Sequence, residues 1–409
     1  MTDPAAQRGV LAAAIIASSM AYIDGSIIGI ALPVLQGDLD ASFGAAQWTI
    51  SAYALATGGL LLVGGGAGDR FGRRSVFIAG LGLFASASIL CALAPTIGAL
   101  IAARALQGVG AALMIPQSLA LITDVYDSGA RGRAIGLWAG ASAAMTAFGP
   151  PLGGVLIETA GWPAMFWINP PLCALAAWLA LRHAPNRRAE KASGPLDWPG
   201  AACAILGCGG LAGALTLAGE QLAIDGLVIG LFALGVAGFF AFWRVERGAP
   251  APLAPPVVFQ DRAFVGLNLV TALIYGAFTA ALFLMPFDLL VRRELSPWEV
   301  GLTLTPLGLI IGALSRPAGA WADRAGPRPP LIFGCAVAAL GMAGLALDAP
   351  SYWLGAVLPL AVLASGIAFV AAPLSTAVMA AAPADAAGIA SGDNNTASRI
   401  AGHAAVVIV

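Results

Sequence analysis

Two oppositely charged residues, Asp24 and Arg104, lie inside long apolar stretches of the sequence, Val10–Leu35 and Ile97–Ile122. A charged side chain near the middle of a bilayer costs about 2.5–3.5 kcal/mol on insertion scales, so it usually faces protein or water and serves a function. A buried carboxylate can alternate between its protonated and ionised forms, with burial and a neighbouring guanidinium setting its proton affinity. The chemistry that these residues offer is therefore reversible proton binding, and the alternative is a structural ion pair.

The composition of the chain is that of a membrane protein. Hydrophobic residues make up 59% of it and charged residues 10%, with a mean hydropathy of +0.87, whereas an average soluble domain has about 25% charged residues. A net charge of -1 and an isoelectric point near 6.1 provide no basic field for nucleic acid. The five cysteines show no metal-type spacing, so we expect neither a metal site nor a disulfide framework.

Thirteen stretches of the sequence are long and apolar enough to cross a membrane as helices, at about 20 residues per span. In order they are Val10–Leu35, Phe43–Gly66, Val76–Ala94, Ile97–Ile122, Ala134–Ile157, Pro163–Leu181, Trp198–Gly219, Leu222–Trp243, Ala263–Leu289, Trp298–Pro317, Pro330–Leu347, Tyr352–Ala380 and Ala386–Val409. The sequence therefore predicts an all-α membrane protein with connections too short for a soluble domain.

This series of spans places the two charged residues at similar depths. Asp24 lies 14 residues, about 21 Å of helix, from the start of span 1, and Arg104 lies seven residues, about 10 Å, from the start of span 4. Because spans 1 and 4 run in opposite directions, the two side chains differ in depth by about 7 Å. They can share one polar layer.

The basic residues predict the orientation of the spans, because Lys and Arg concentrate on cytoplasmic connections. With the N-terminus inside, 16 of the 20 lie on cytoplasmic connections, and only Arg292 and Arg293 face out. The remaining two, Arg104 and Arg399, fall within spans. We therefore expect a multi-pass protein of the cytoplasmic membrane with a cytoplasmic N-terminus.

A ten-residue segment that begins at the end of span 2 occurs again after span 10. Gly65–Arg74 reads Gly-Gly-Ala-Gly-Asp-Arg-Phe-Gly-Arg-Arg, and Gly319–Arg328 reads Gly-Ala-Trp-Ala-Asp-Arg-Ala-Gly-Pro-Arg. Five positions match at a constant offset of 254, namely Gly65, Asp69, Arg70, Gly72 and Arg74 with Gly319, Asp323, Arg324, Gly326 and Arg328. The matches imply a duplication, and we interpret each segment as a short polar hinge between two spans.

The duplication makes spans 1 to 6 and spans 9 onward two copies of one bundle, with spans 7 and 8 as an inserted pair. The predicted divisions are residues 1–190, 191–262 and 263–409. Two like bundles that face each other across a midplane cavity form the architecture of a rocker-type secondary transporter. The second-copy counterparts of Asp24 and Arg104 are Phe278 and Ala361, so proton coupling would belong to the first bundle.

Four segments resemble motifs of a known family. The hinge Gly65–Arg74 resembles the signature between helices 2 and 3 of the major facilitator superfamily. Ile23–Pro33, Arg104–Gly108 and Gly149–Gly154 resemble further motifs of its fourteen-helix drug:proton antiporter branch. The resemblance implies a proton-coupled antiporter that exports small amphipathic compounds or drugs, without a cofactor.

The resemblance also assigns roles to residues. Asp24 and Arg104 would couple to protons, and the antiporter motif, Gly149, Pro150, Gly153 and Gly154, would seal the outer half; the alternative for the motif is generic glycine-mediated packing. The gate hinges would control the inner half through Gly65, Asp69, Arg70, Gly72, Arg73, Arg74, Gly319, Asp323, Arg324, Gly326 and Arg328. The side chains that could line a drug cavity, or only pack, are Tyr22, Gln107, Tyr275, Phe278 and Arg399.

Other classes of function fit the sequence less well. The two histidines, His183 and His403, belong to no Ser/His/Asp set or metal cluster, so we expect no enzyme. The remaining alternatives are a major-facilitator uptake symporter and a truncated, non-transporting remnant. We expect a monomer in the lipid bilayer whose partners are protons and a small-molecule substrate.

The repeat counterpart of span 6 would fall near positions 419–437, beyond Val409. We therefore expect a truncated or partial chain that lacks the last helix, ends outside the cell and, as it stands, transports weakly or not at all. The alternative is that another protomer or a separately encoded segment supplies the helix. A C-terminal alkaline phosphatase fusion should be active, and a C-terminal fluorescent-protein fusion should be dark. The reverse pattern would indicate an even number of crossings and contradict the count of thirteen.

Overall fold

A computed structural model describes residues 4–185, 198–221, 225–249, 261–347, 349, 351–381, 401–402 and 405. Within those ranges the chain is helical and contains no β-strand. It divides into two compact units, Met1–Gly149 with Val155–Leu253, and Pro150–Gly154 with Ala254–Val409.

Nine helices belong to the first unit, apart from the five residues of α5 that group with the second. They are α1 (Pro4–Asp38), α2 (Phe43–Phe71), α3 (Arg73–Ala92), α4 (Ile97–Val125), α5 (Ser128–Ala160), α6 (Ala164–Trp167), α7 (Asn169–His183), α8 (Trp198–Gln221) and α9 (Gly226–Gly248). The described part of the second unit has α10 (Arg262–Phe287), a π-helical turn (Asp288–Arg292), α11 (Pro297–Ala325), α12 (Arg328–Ala346), a second π-helical turn (Trp353–Val357) and α13 (Leu358–Ala381).

The helices match the predicted membrane spans. In the described part of the chain, ten helical ranges are long and apolar enough to cross a membrane, and α2 and α5, with 29 and 33 residues, are also long enough. Twelve predicted spans thus coincide with helices, although the sixth is interrupted between α6 and α7. The thirteenth, Ala386–Val409, lies largely outside the described residues. The predicted all-α membrane fold is confirmed.

The two predicted hinges are shorter than the sequence suggested. α2 continues through Phe71 and α11 through Ala325, so most of each duplicated segment is helical rather than an open connection. The chain turns at Gly72, with φ of 98°, and at Gly326, with φ of 80°. Glycine adopts a positive φ without the steric penalty of a Cβ. This requirement explains why both copies keep a glycine at this point of the repeat.

Small residues let the helices of the first unit approach closely. A Cβ added to Gly110 on α4 would lie 2.6 Å from the backbone nitrogen of Phe84 on α3, and one added to Gly108 would lie 2.6 Å from the Tyr53 carbonyl oxygen on α2. Real Cβ atoms do not approach other atoms so closely, so only glycine fits. Helix contacts of this kind are typical of membrane proteins. They bring α2, α3 and α4 together around the polar residues described below.

The predicted inserted pair, α8 and α9, packs within the first unit. A Cβ added to Gly235 on α9 would lie 2.7 Å from the backbone nitrogen of Leu211 on α8, so these two helices are also in backbone contact. α8 packs against α2, where the buried Thr216 hydroxyl donates a hydrogen bond of 3.2 Å to Gln47 Oε1. The division into three parts at 190 and 262 stays a prediction.

The close contact of α8 and α9 predicts opposite effects of one substitution at two glycines of α9. Gly235→Ala should lower the melting temperature in detergent, because overpacking costs about 1–3 kcal/mol. Gly230→Ala is the matched control, because its added Cβ would meet nothing within 4 Å, and it should gain up to about 1 kcal/mol of helix propensity. A Gly235→Ala variant that melts at or above the control would contradict this packing.

Candidate functional site

A cluster of buried polar side chains lies inside the first unit, around Asp24 on α1. Arg104 and Gln107 approach it from α4, Ser88 from α3 and Asn169 from the first position of α7. Asp24 is 5% exposed, Asn169 is 1% exposed and the other three are fully buried. We call these five residues the Asp24 cluster. Four helices contribute to it, so its geometry depends on the packing of the whole unit.

Both oxygens of the Asp24 carboxylate accept hydrogen bonds. Arg104 Nη1 donates to Oδ2 at 2.5 Å in a buried salt bridge. Gln107 Nε2 donates to Oδ1 at 3.0 Å, and Asn169 Nδ2 donates to the same oxygen at 3.3 Å. An ionised carboxylate is an acceptor only. The arrangement of three donors therefore matches the ionised form of Asp24.

The guanidinium of Arg104 has partners on two further helices. Nε donates to the Thr49 carbonyl oxygen of α2 at 3.0 Å, and Nη1 also donates to Gln107 Oε1 at 2.6 Å. The guanidinium carbon lies 4.3 Å from the ring centre of Tyr53, a cation–π contact, and 5.8 Å from that of Phe166. Nη2 is buried and has no hydrogen-bond partner among the residues that the structure describes. Arg104 thus links α1, α2 and α4, and its Nη2 nitrogen is available for a further acceptor.

The structure brings together the two residues predicted to couple to protons, and it adds others. Gln107, predicted as a possible cavity residue, hydrogen-bonds to Asp24 and Arg104, and its cavity role stays a prediction. The sequence reasoning missed Ser88 and Asn169. Both are polar residues inside predicted spans, so the cost argument that selected Asp24 could have selected them. It would have done so less strongly, because a neutral side chain costs less to bury than a charge.

The residues of the first hinge contact α4 and the end of α7, within the same unit as the Asp24 cluster. Arg73 Nη1 lies 2.7 Å from Asp124 Oδ1 of α4, and Arg74 Nη1 donates to the Ala184 carbonyl oxygen at 3.1 Å. Gly65 approaches the ring of Pro116. The exposed hinge arginines are Arg70, Arg324 and Arg328.

The other residues of the predicted hinges include Gly319, Asp69 and Asp323. A Cβ added to Gly319 would meet nothing within 4 Å. The side chains of Asp69 and Asp323 lie outside what the structure describes. The contacts of the hinge are therefore given by Arg73 and Arg74, and the latch role of the two aspartates stays a prediction.

The antiporter motif is a glycine- and proline-containing part of α5. Gly149 and Gly153 are buried, and a Cβ added to Gly149 would collide with the Ser26 side chain of α1. Within the second unit, a Cβ added to Gly301 of α11 would lie 2.6 Å from the Pro150 carbonyl oxygen, and one added to Gly154 would lie 2.9 Å from a Cα atom of α11. The motif therefore makes close backbone contacts.

Of the predicted cavity residues, Tyr22 belongs to the first unit, and Tyr275 and Phe278 belong to the second. Tyr22 and Tyr275 are half-buried. Phe278 packs against an apolar cluster that includes Ala281 and Leu363. Arg399 lies outside the described residues. A substrate-binding role for these side chains stays a prediction.

The sequence matches known proteins along almost its whole length. A family model described as Major Facilitator Superfamily matches residues 14–406. A puromycin resistance protein of Streptomyces alboniger is 38% identical over 403 residues, which cover 96% of this chain and 79% of that protein. A tetracenomycin C resistance and export protein of Streptomyces glaucescens is 33% identical over 408 residues, which cover 95% of this chain and 73% of that protein.

Solved structures share the fold. A bacterial homologue of the human lysosomal transporter Spinster, in an inward-facing and unoccupied conformation, matches with a TM-score of 0.71 and 18% identity over 100% of this chain and 82% of that one. The xylose transporter XylE from E. coli, in a partially occluded inward-open conformation, matches with a TM-score of 0.62 and 15% identity over 98% of this chain and 90% of that one. At these identities the likeness concerns the fold alone.

The geometry of the Asp24 cluster predicts strong coupling between its two charges. Arg104→Gln should destabilise the folded protein by about 3–5 kcal/mol at neutral pH, because it leaves a carboxylate buried without its cation. Adding Asp24→Asn to Arg104→Gln should recover more than half of that loss. Unfolding in detergent, followed by tryptophan fluorescence, supplies the four free energies of the double-mutant cycle. Additive losses in the double variant would contradict a coupled pair.

Proposed function

Because the chain belongs to the Major Facilitator Superfamily, we propose that it is a secondary antiporter that exports small amphipathic compounds in exchange for inward-moving protons. Two relatives support export: one is named for resistance to puromycin, and the other for resistance to and export of tetracenomycin C. The observation that supports the proton coupling is the buried carboxylate of Asp24, paired with Arg104 within the first unit.

Proton binding to Asp24 would change the Asp24 cluster in a defined way. A proton on Oδ2 would face the Arg104 Nη1 donor, and two donors cannot share one hydrogen bond. The charge-assisted bond between them, which is stronger than a neutral one, would be lost. Arg104 would then be a buried cation without its anion, a state that favours rearrangement of the helices around it.

The helices affected by this change follow from the contacts of Arg104. In the ionised state the guanidinium links α1 through Asp24, α2 through the Thr49 carbonyl and α4 through its own backbone. Releasing the Asp24 bond removes a link between α1 and the closely packed pair α2 and α4. Alternating access in transporters of this class is a rocking or gating motion around a midplane site. Protonation would bias that motion by weakening one of two discrete arrangements.

The hinges and the antiporter motif would control access to the two sides of the membrane. The hinges would control the cytoplasmic gate, with Arg73 held by Asp124 in the state described here. The antiporter motif would seal the outer half through its close backbone contacts. The protein would act as a monomer in the cytoplasmic membrane, with its N-terminus inside. An uptake symporter of the same superfamily is not favoured, because the named relatives confer resistance or export.

Replacing Asp24 tests the coupling directly. At matched abundance, Asp24→Asn should reduce pH-gradient-driven export to background, because a neutral amide cannot exchange protons. Its stability should also fall, because Arg104 is left buried without its anion. Export of a fluorescent amphipathic dye is measured in everted vesicles with and without an imposed pH gradient. Asp225→Asn is the matched control: this aspartate is exposed and caps the start of α9, and asparagine caps equally well.

The control variant should export the dye as fast as the unaltered chain. Gradient-driven export by Asp24→Asn at the rate of the control, at matched abundance, would overturn the coupling role of Asp24. Dye movement into vesicles that is driven only by its own concentration difference, with no response to the pH gradient, would overturn antiport itself.

A further inference from the structure

The boundary between α6 and α7 shapes one side of the Asp24 cluster. The helix of the sixth span is interrupted at Ile168, and α7 begins at Asn169, followed by Pro170 and Pro171. In a continuous helix the carbonyl of Phe166 would accept the N–H of residue 170, but proline has no N–H. The Phe166 carbonyl accepts the N–H of Ile168 instead, and a carbonyl oxygen has a second lone pair for a further donor. The proline pair therefore breaks the helix and leaves acceptor capacity beside the cluster.

Ser88 supplies a second donor to the Phe166 carbonyl and links that carbonyl to Asp24. Its hydroxyl donates to the Phe166 carbonyl oxygen at 2.9 Å and accepts from Asn169 Nδ2 at 2.9 Å. The same Asn169 amide nitrogen donates to Asp24 Oδ1 at 3.3 Å. Gln107 Nε2 lies 3.4 Å from the Ser88 hydroxyl. Ser88 and Asn169 thus form a chain of hydrogen bonds from the broken helix to the carboxylate.

We infer that Asn169 and Ser88 are positioning residues for Asp24, which hold its carboxyl group in place in both protonation states. This inference rests on the proposed function, because it concerns the proton that Asp24 would carry. Asn169 is an uncharged amide, and the carbonyl oxygen of a protonated carboxyl group still accepts hydrogen bonds. Its bond to Oδ1 survives protonation of Oδ2, whereas the charge-assisted bond from Arg104 does not.

Arg104 and the pair Asn169 and Ser88 therefore have different roles within the Asp24 cluster. Arg104 responds to the charge of Asp24, and Asn169 with Ser88 fixes the position of the side chain while that charge changes. A carboxyl group held by the α6–α7 boundary would return to the same place after each proton transfer. Without that support the Asp24 side chain would be free to rotate when its bond to Arg104 breaks. The proton affinity of Asp24 would also change, because the Asn169 donor is lost.

The other titratable groups that face the cluster in the described part are few. Arg104 on α4 carries the opposing charge, Cys91 of α3 lies 3.7 Å from Gln107 Oε1, and Cys173 of α7 lies 3.9 Å from the Met20 sulfur. Tyr53 of α2 faces the guanidinium. A thiol and a phenol are uncharged at physiological pH. The pH response that is tested therefore belongs to Asp24 and its donors.

The test compares pH profiles rather than rates alone. Export of ethidium and puromycin is measured in everted vesicles at a series of lumenal pH values, for the full chain and its variants. Asn169→Ala should move the pH of half-maximal export upward by about 0.5–1 pH unit, because one neutral donor to the carboxylate is lost. Ser88→Ala should shift it in the same direction by less, and Ser88→Thr, which keeps the hydroxyl, should restore the original profile.

Ser118→Ala is the matched control for Ser88→Ala. Ser118 is also fully buried, but in the described part of the chain its hydroxyl donates to the Met114 carbonyl oxygen within its own helix, at 3.0 Å. A residue that merely supports the fold would lower abundance and maximal rate without moving the pH midpoint. If Asn169→Ala does not fold, the comparison of Ser88→Ala with Ser88→Thr decides.

Two different failures can be distinguished. An unaltered chain that shows no pH-gradient-driven export of either compound would overturn the proposed function, and this inference with it. Normal export by the unaltered chain, together with unshifted pH midpoints in Asn169→Ala and Ser88→Ala, would overturn the inference alone. A shift in Ser118→Ala as large as that in Ser88→Ala would also overturn it.

Discussion

The salt bridge between Asp24 and Arg104 is the interaction on which the organisation of the first unit depends. Burying each ion away from water costs several kcal/mol even after relaxation, and their attraction compensates only with good geometry and further hydrogen bonds. The first unit provides these further hydrogen bonds. Gln107 and Asn169 donate to the carboxylate, and the Thr49 carbonyl oxygen accepts from the guanidinium. The same cost makes the pair sensitive to protonation, because removing one charge strands the other.

Glycine contacts allow this cluster to form. Gly108 lets α4 approach the backbone of α2 next to Tyr53, and Gly110 does the same toward α3 at Phe84. A larger side chain at either position would push a neighbouring helix away from the cluster. Hydrogen bonds weaken steeply with distance and angle, so a displacement of about 1 Å would remove partners that Arg104 and Asp24 need. The close packing of α2, α3 and α4 therefore sets the geometry of the buried ion pair.

The two copies of the duplicated sequence share their backbone requirements and differ in their chemistry. Gly72 and Gly326 both turn the chain at positive φ, a constraint that acts on any copy of the fold. The position of Asp24 is occupied in the second copy by Phe278, which packs in an apolar cluster. A buried charge is retained only where something pairs with it, and the second copy has an alanine, Ala361, at the position of Arg104. The asymmetry supports proton coupling in the first unit.

The sequence by itself determined the membrane class, twelve of the spans, the duplication and the shared depth of Asp24 and Arg104, because hydropathy and helical rise are local properties. It misjudged the hinges, since only backbone geometry shows that α2 runs on to Phe71. Only the tertiary structure decided that Ser88 and Asn169 join the cluster. These residues are 81 positions apart, and their contact depends on the rotation and packing of α3 and α7, which no local pattern encodes.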